Sequence, residues 1–183
     1  GKQVISFDEM KGKLRAAMDT RDKLDPDFLI IYRIDSLAVH GFEDALIRAV
    51  KGVELGVDMI FIEALETIEQ IRSTSEKLKG TDLMLNFVEG GKTPLIPVSE
   101  AGEMGFKWIV PALTPLYSAA KGMYEVMKQV RREGISDKYS DKLISFRDFA
   151  EVVHLDEIRK KEDLYLPEEV IDEKYHGKET IVD

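Results

Sequence analysis

The sequence contains no cysteine. Disulfides, thiolate metal sites and a cysteine nucleophile are thereby excluded within the chain. The absence accords with a reducing, cytoplasmic setting. No apolar run approaches the ~18 residues that span a bilayer, and the first ten residues lack the apolar stretch of a secretory leader. Basic charge is in deficit, since 26 Lys and Arg stand against 35 Asp and Glu for a net charge of −9. Nucleic acid, which needs a basic face, is not an expected partner, and neither is a membrane. His40, His154 and His176 are scattered without ligand spacing. The single Trp, Trp108, falls in an apolar run and is expected to pack.

What is present suffices for a core, since 44% of the 183 residues are hydrophobic. Ser6-Phe7-Asp8-Glu9 reads as a capping box opening a helix to about Thr20. Asp25-Pro26 breaks the chain, and Phe28–Arg33 is a continuous apolar run of the kind buried on both faces of a parallel sheet. A polar loop, Ile34–Gly41, leads to a helix striped by Phe42, Ala45, Leu46, Ala49, Val50 and Val53, with Gly56 as its C-terminal cap. The cycle repeats. Val57–Ile62 is a strand, and Thr67-Ile68-Glu69-Gln70 caps a helix to about Lys79. Leu83–Val88 is a strand, Ser99 caps a short helix ending near Gly105, and Lys107–Val110 is a strand. Thr114-Pro115 starts a long helix, with Met123 and Met127 on its apolar stripe, that Gly134 ends. This alternation implies βαβ units and a parallel sheet. Residues 135–183 differ: Ser145–Val153 reads as one more helix, followed by an extended charged arm. The expected division is 1–134 for the α/β part and 135–183 for the helix and arm.

The strands share one peculiarity. The first ends in Arg33 and Asp35, the second in Glu63, the third in Asn86 and Glu89. In parallel α/β folds, ligands bind at the C-terminal edge of the sheet. Each residue alone has an ordinary reading: a solvated loop charge, a structural amide, or Arg33 paired with Asp35 or Glu63. Gly90-Gly91 permits close approach of backbone to a ligand, or makes a tight turn. Lys92 is a solvated loop lysine or a substrate contact. Recurrence at equivalent positions favours a shared site. An Arg fork suits a carboxylate or phosphonate, a Glu suits acid–base work, and Asn86 can donate to an oxyanion. The set suits a small anionic substrate.

Several stretches resemble the isocitrate lyase/phosphoenolpyruvate mutase superfamily: GKQVIS at the start, Tyr32-Arg33-Ile34-Asp35, the run from Asp58 to Ala64, and the run from Asn86 to Leu95. The turn Met104-Gly105-Phe106 and residues 113–118 also fit, so the resemblance covers about residues 1–155. It implies a (β/α)8 TIM-type barrel enzyme using Mg²⁺ that cleaves or rearranges C–C or P–C bonds in 2-oxo or 2-hydroxy acids through an enolate-like intermediate. It gives catalytic roles to Arg33, Glu63 and Asn86, and substrate contacts to Arg33, Asn86, Val88, Glu89, Gly90 and Gly91. Glu63 is placed near the metal's waters.

The form NFVEGGKTPL is similar to the petal-death, oxaloacetate-acting and carboxyphosphonoenolpyruvate phosphonomutase-related branch. Tyr117 stands where methylisocitrate lyases are expected to carry an Arg, which argues against a tricarboxylate. Pro111-Ala112 departs from the family's usual pair before this point. The family's metal-binding Asp cluster and its cysteine-bearing loop have no counterpart here. The resemblance therefore implies only the C-terminal half of a barrel, about strands 5–8, plus a C-terminal helical arm, with no metal ligands in this chain. A missing N-terminal half-barrel is the implied partner, and terminal helices packing across protomers imply a homotetramer. Two kinds of function stay open: a lyase acting on oxaloacetate or a substituted malate, with a phosphonomutase as its variant, and an inactive paralogue serving as a binding or assembly subunit.

Overall fold

A computed structural model describes residues 1–175. His176 and the end of the expected arm lie outside the described residues. The chain divides into two units, Gly1–Ala119 and Ala120–Asp183.

The first unit is built from helices α1 (Phe7–Leu24), α2 (Leu37–His40), α3 (Phe42–Leu55), α4 (Ile68–Lys77) and α5 (Val98–Glu103). They alternate with strands β1 (Ile31–Ile34), β2 (Met59–Ile62), β3 (Asp82–Phe87) and β4 (Phe106–Pro111). The strands form one parallel sheet in the order β1-β2-β3-β4. This is the right-stepping order expected of successive βα units.

Local signals explain the element ends. The Ser6 hydroxyl accepts from the Glu9 N–H at 3.2 Å, and the Thr67 hydroxyl from the Gln70 N–H at 3.1 Å. The Gln70 side chain reaches back one residue further than a capping box predicts and accepts from the Glu66 N–H at 2.7 Å. Gly56 closes α3 in the left-handed region at φ 94°. Three expectations shift. β1 starts at Ile31 because the Ile30 N–H is held by the Asp58 carboxylate at 2.8 Å and Phe28 and Leu29 are exposed. The loop after β1 contains α2. Pro97, not Ser99, stands at the cap of α5.

The two faces of the sheet differ. Tyr32, Ile34, Ile60, Ile62, Leu83, Leu85 and Phe87 point to the helices and pack with Leu14, Ala45, Ala49, Ile71 and Ala101 in one core. The small residues of α3 let it lie close to the sheet. A Cβ on Gly52 would come within 2.5 Å of the Tyr32 ring. The opposite face carries Arg33 paired with Phe61 across β1 and β2, and Met84 paired with Trp108 across β3 and β4. Burial is uneven on this face: Met59 and Phe61 are buried, whereas Trp108 keeps 48% of its surface exposed.

Helix α6 (Thr114–Glu133) runs through the division, and Gly134 follows it at φ 75°. The second unit continues with a 3₁₀ segment, Asp137–Lys142, and helices α7 (Phe146–Val152), α8 (Leu155–Tyr165) and α9 (Glu168–Tyr175). The Ser145 hydroxyl caps α7 by accepting from the Asp148 N–H at 3.0 Å. The stretch expected as an extended arm is thus helical as far as Tyr175. Its charged residues are strong helix formers, and Lys174 on α9 pairs with Glu162 on α8 at 2.5 Å. Met123, Met127, Phe146, Phe149, Leu164 and Tyr165 of this unit are exposed apolar side chains. Among the described residues, no helix is long and apolar enough to cross a membrane.

Candidate active site

Parallel pairing delivers all strand ends to one edge. Arg33 lies opposite Phe61, and the Arg33 guanidinium sits 5.3 Å from the centre of the Phe61 ring. Phe61 is 5% exposed, and the cation over its ring is a favourable contact. Glu63 follows two residues later on the same face, and its N–H still bonds to the Ile34 carbonyl at 3.0 Å. The pairing of Met59 with Asp82 and Ile60 with Leu83, carried along both strands, sets Glu63 beside Asn86.

The side chains follow the backbone. Arg33 holds Asp35 through Nε at 2.7 Å and through Nη2 at 3.1 Å. Nη2 also approaches Glu63 Oε2 at 3.5 Å, a distance beyond a good hydrogen bond. Glu63 Oε2 is buried and makes no hydrogen bond among the described residues. Glu63 and Asn86 line one cavity of about 250 Å³ together with Lys2, Val88, Gly91 and Lys92. The Asn86 amide makes no hydrogen bond to another described residue, which leaves its donors for a ligand. Ala64, next to Glu63, adopts φ 60°. A left-handed non-glycine residue costs on the order of 1 kcal/mol and marks a constrained strand end.

Arg33 and Asp35 border an adjacent cavity of about 280 Å³ that the N-terminal segment Gln3–Ile5 helps to line. Lys2 bridges the two, bonding Asp35 Oδ1 at 2.5 Å while lining the first. The Asp35 pKa is lowered to about 2, chiefly by the hydrogen bonds from Arg33; burial opposes this, and the hydrogen bond from Lys2 adds to the lowering. Arg33 is raised above its usual value, first through its bond to Asp35.

The structure brings together Arg33, Glu63, Asn86, Val88 and Gly91. Glu89 and Gly90 do not line the cavity. Glu89 accepts a short hydrogen bond from the Thr114 hydroxyl, which lowers its pKa. Gly90 serves the turn, with φ 74° in a loop closed by the Gly91 N–H on the Val88 carbonyl at 2.9 Å. Among the described residues, no group of three or more His, Cys, Asp or Glu side chains could hold a metal ion. Lys2 and the Phe61 shelf were not singled out from sequence. Lys2 is remote in the chain and only the topology brings it here. Phe61 read as one apolar residue in an apolar run. Lys92 pairs with Glu66 at 2.6 Å across the two loops flanking the cavity.

The chain matches the family of phosphoenolpyruvate phosphomutase over residues 1–131. It is 33% identical to 2,3-dimethylmalate lyase of Eubacterium barkeri over 165 residues, covering 90% of this chain and 56% of that enzyme. It is 35% identical to the petal death protein of Dianthus caryophyllus over 156 residues, covering 85% of this chain and 48% of that protein. Among solved structures, oxaloacetate acetylhydrolase in complex with the inhibitor 3,3-difluorooxalacetate aligns with a TM-score of 0.82 at 31% identity. That alignment covers 89% of this chain and 54% of the other. The chain thus spans about half the length of the curated relatives it matches.

Proposed function

The chain belongs to the phosphoenolpyruvate phosphomutase family, and from that premise we propose that it supplies the acid-binding wall of a Mg²⁺-dependent lyase. The substrate is a small 2-oxo or 2-hydroxy dicarboxylate, oxaloacetate or a substituted malate. The observation that carries this reading is the convergence of Arg33, Glu63 and Asn86 at one sheet edge. The relatives' names, 2,3-dimethylmalate lyase and oxaloacetate acetylhydrolase, support the substrate class. Tyr117 in place of an Arg favours two carboxylates over three.

In such a cleavage the C2 hydroxyl, or the hydrate of a 2-oxo group, loses a proton. The C2–C3 electron pair then moves onto the neighbouring carboxylate as an enolate-like species, which protonation converts to product. Arg33 holds a carboxylate of the substrate through the N–H groups that Asp35 leaves unused. The Asn86 amide donates to a substrate oxygen and fixes its orientation. Glu63, with one oxygen free of hydrogen bonds among the described residues, accepts a proton or orients a water. Val88 and Gly91 shape the wall.

Charge accounting supports a divalent cation. Three cations, Lys2, Arg33 and Lys92, stand against three carboxylates, Asp35, Glu63 and Glu66, so a dicarboxylate finds no net positive charge among these groups. Mg²⁺ takes about six oxygen ligands, often several of them waters. The described residues do not furnish such a set. Glu63 fits an acceptor for one of its waters. When bound, the ion supplies electrostatic stabilisation of negative charge on substrate oxygen.

The exposed Trp108 side of the sheet supports a half-barrel of about four strands. Trp108 and Met84 lie where a closed barrel packs its interior, and β1 and β4 have no outer neighbour strand among the described residues. A complementary half-barrel covers them in the active protein. The exposed apolar residues of the second unit support a homotetramer. The family's own name favours a second chemistry, P–C bond rearrangement; a binding or assembly subunit is the third reading.

One experiment separates them. The natural protein is supplied with Mg²⁺ and oxaloacetate, 2,3-dimethylmalate or phosphonopyruvate, and products are followed by NMR. Oxalate with acetate, or pyruvate with propionate, is the expected outcome. Phosphoenolpyruvate selects the second reading, and no turnover selects the third.

A further inference from the structure

We propose that Asp35 is a positioning residue that keeps Arg33 turned to the substrate by holding it off Glu63. The inference rests on the proposed function of this site. Two carboxylates compete for one guanidinium. Asp35 takes Nε and Nη2 at 2.7 and 3.1 Å, whereas Glu63 stands 3.5 Å from Nη2 without forming a hydrogen bond. The two Nη1 protons make no hydrogen bond among the described residues, and neither does Glu63 Oε2. Both free groups are consequences of the same clamp. Without it, the guanidinium needs to move by less than 1 Å to close on Glu63, since a charge-assisted N–H···O bond is ~2.7–2.9 Å long. That movement would neutralise the anion anchor and the acid–base carboxylate together.

The clamp is itself braced. Lys2 bonds Asp35 Oδ1 at 2.5 Å, so Asp35 cannot follow Arg33 without breaking a second ion pair. Phe61 provides the flat shelf on which the guanidinium slides or stays. An intrastrand ion pair with no further role predicts none of this coupling, because Glu63 would be indifferent to Asp35.

The test uses the natural protein and oxalate with Mg²⁺ as the probe. Isothermal titration compares wild type, D35N, E63Q and the double variant. D35N is expected to weaken oxalate binding by about tenfold or more, the scale of one charge-assisted contact. In the E63Q background, where the competing carboxylate is gone, D35N is expected to weaken it less than threefold. An effect of D35N below twofold in wild type, or an equal effect in both backgrounds, overturns the proposal. If wild type binds no oxalate, the functional reading fails. The ¹⁵Nε–Hε signal of Arg33 then decides the clamp by itself: slow hydrogen exchange in wild type and fast exchange in D35N unless Glu63 recaptures the group, against no difference between wild type and the double variant if Asp35 holds nothing.

Discussion

Gly52 provides a test of the helix-on-sheet packing that sets the strand ends in place. It lies inside α3 against β1. A Cβ built there would meet the Tyr32 ring at 2.5 and 3.0 Å and the Ile60 side chain at 3.3 Å. Tyr32 and Ile60 are 3% and 1% exposed, so neither can swing into solvent. Two effects oppose each other in Gly52→Ala. Helix propensity favours Ala by about 1 kcal/mol, and overpacking a filled core costs about 1–3 kcal/mol. A 2.5 Å approach to a buried ring belongs at the upper end of that range, so the net expectation is a loss of about 1–2 kcal/mol. Gly12→Ala is the matched control. Gly12 is also inside a helix, α1, but an added Cβ there meets nothing within 4 Å. It gains the propensity term alone, about 0.5–1 kcal/mol. Urea unfolding of the natural protein reads both. Opposite signs support the packing. A Gly52→Ala protein as stable as Gly12→Ala refutes it.

Other expectations follow from the same geometry. Arg33→Lys keeps the charge but loses the planar fork, so KM for the dicarboxylate should rise at least tenfold with stability little changed; steady-state kinetics checks this. Gly90→Ala should destabilise by about 1 kcal/mol because φ there is 74°, and Gly90→Asn should lose less; thermal unfolding ranks them. Asp35 is depressed from 3.8 to about 2. Its stabilising contribution is therefore present above its unfolded value and lost as pH falls from about 4 toward 2. The stability difference between wild type and Asp35→Asn should shrink over that window, as acid titrations of both proteins would measure.

Much of the fold was legible because its signals are local. Ser6, Thr67, Gly56 and Ser145 mark element ends by hydrogen bonding and backbone conformation, and the apolar runs of β2 and β3 admit few readings. Residues 154–175 show where composition and resemblance differ. High charge alone suggests an extended arm, whereas the family resemblance implies a helical one, and the segment is helical because Glu, Lys, Leu and Arg are helix formers whether or not a core lies beneath them. Of the site, Arg33, Glu63 and Asn86 were visible because each stands at or near the C-terminal end of an apolar run. Lys2 was not, since its place beside Asp35 depends on how the N-terminal segment crosses the strand ends. Glu89 shows the converse. It sits at the right offset, yet the turn at Gly90 and the Thr114 hydroxyl direct its carboxylate elsewhere.

The most direct measurement is a crystal structure of the natural protein with oxalate and Mg²⁺. Oxalate is expected within hydrogen-bond distance of Arg33 and Asn86, with Trp108 and Met84 sealed beneath further strands. Oxalate bound away from this edge, or a Trp108 face bare to solvent in the active protein, would contradict this expectation.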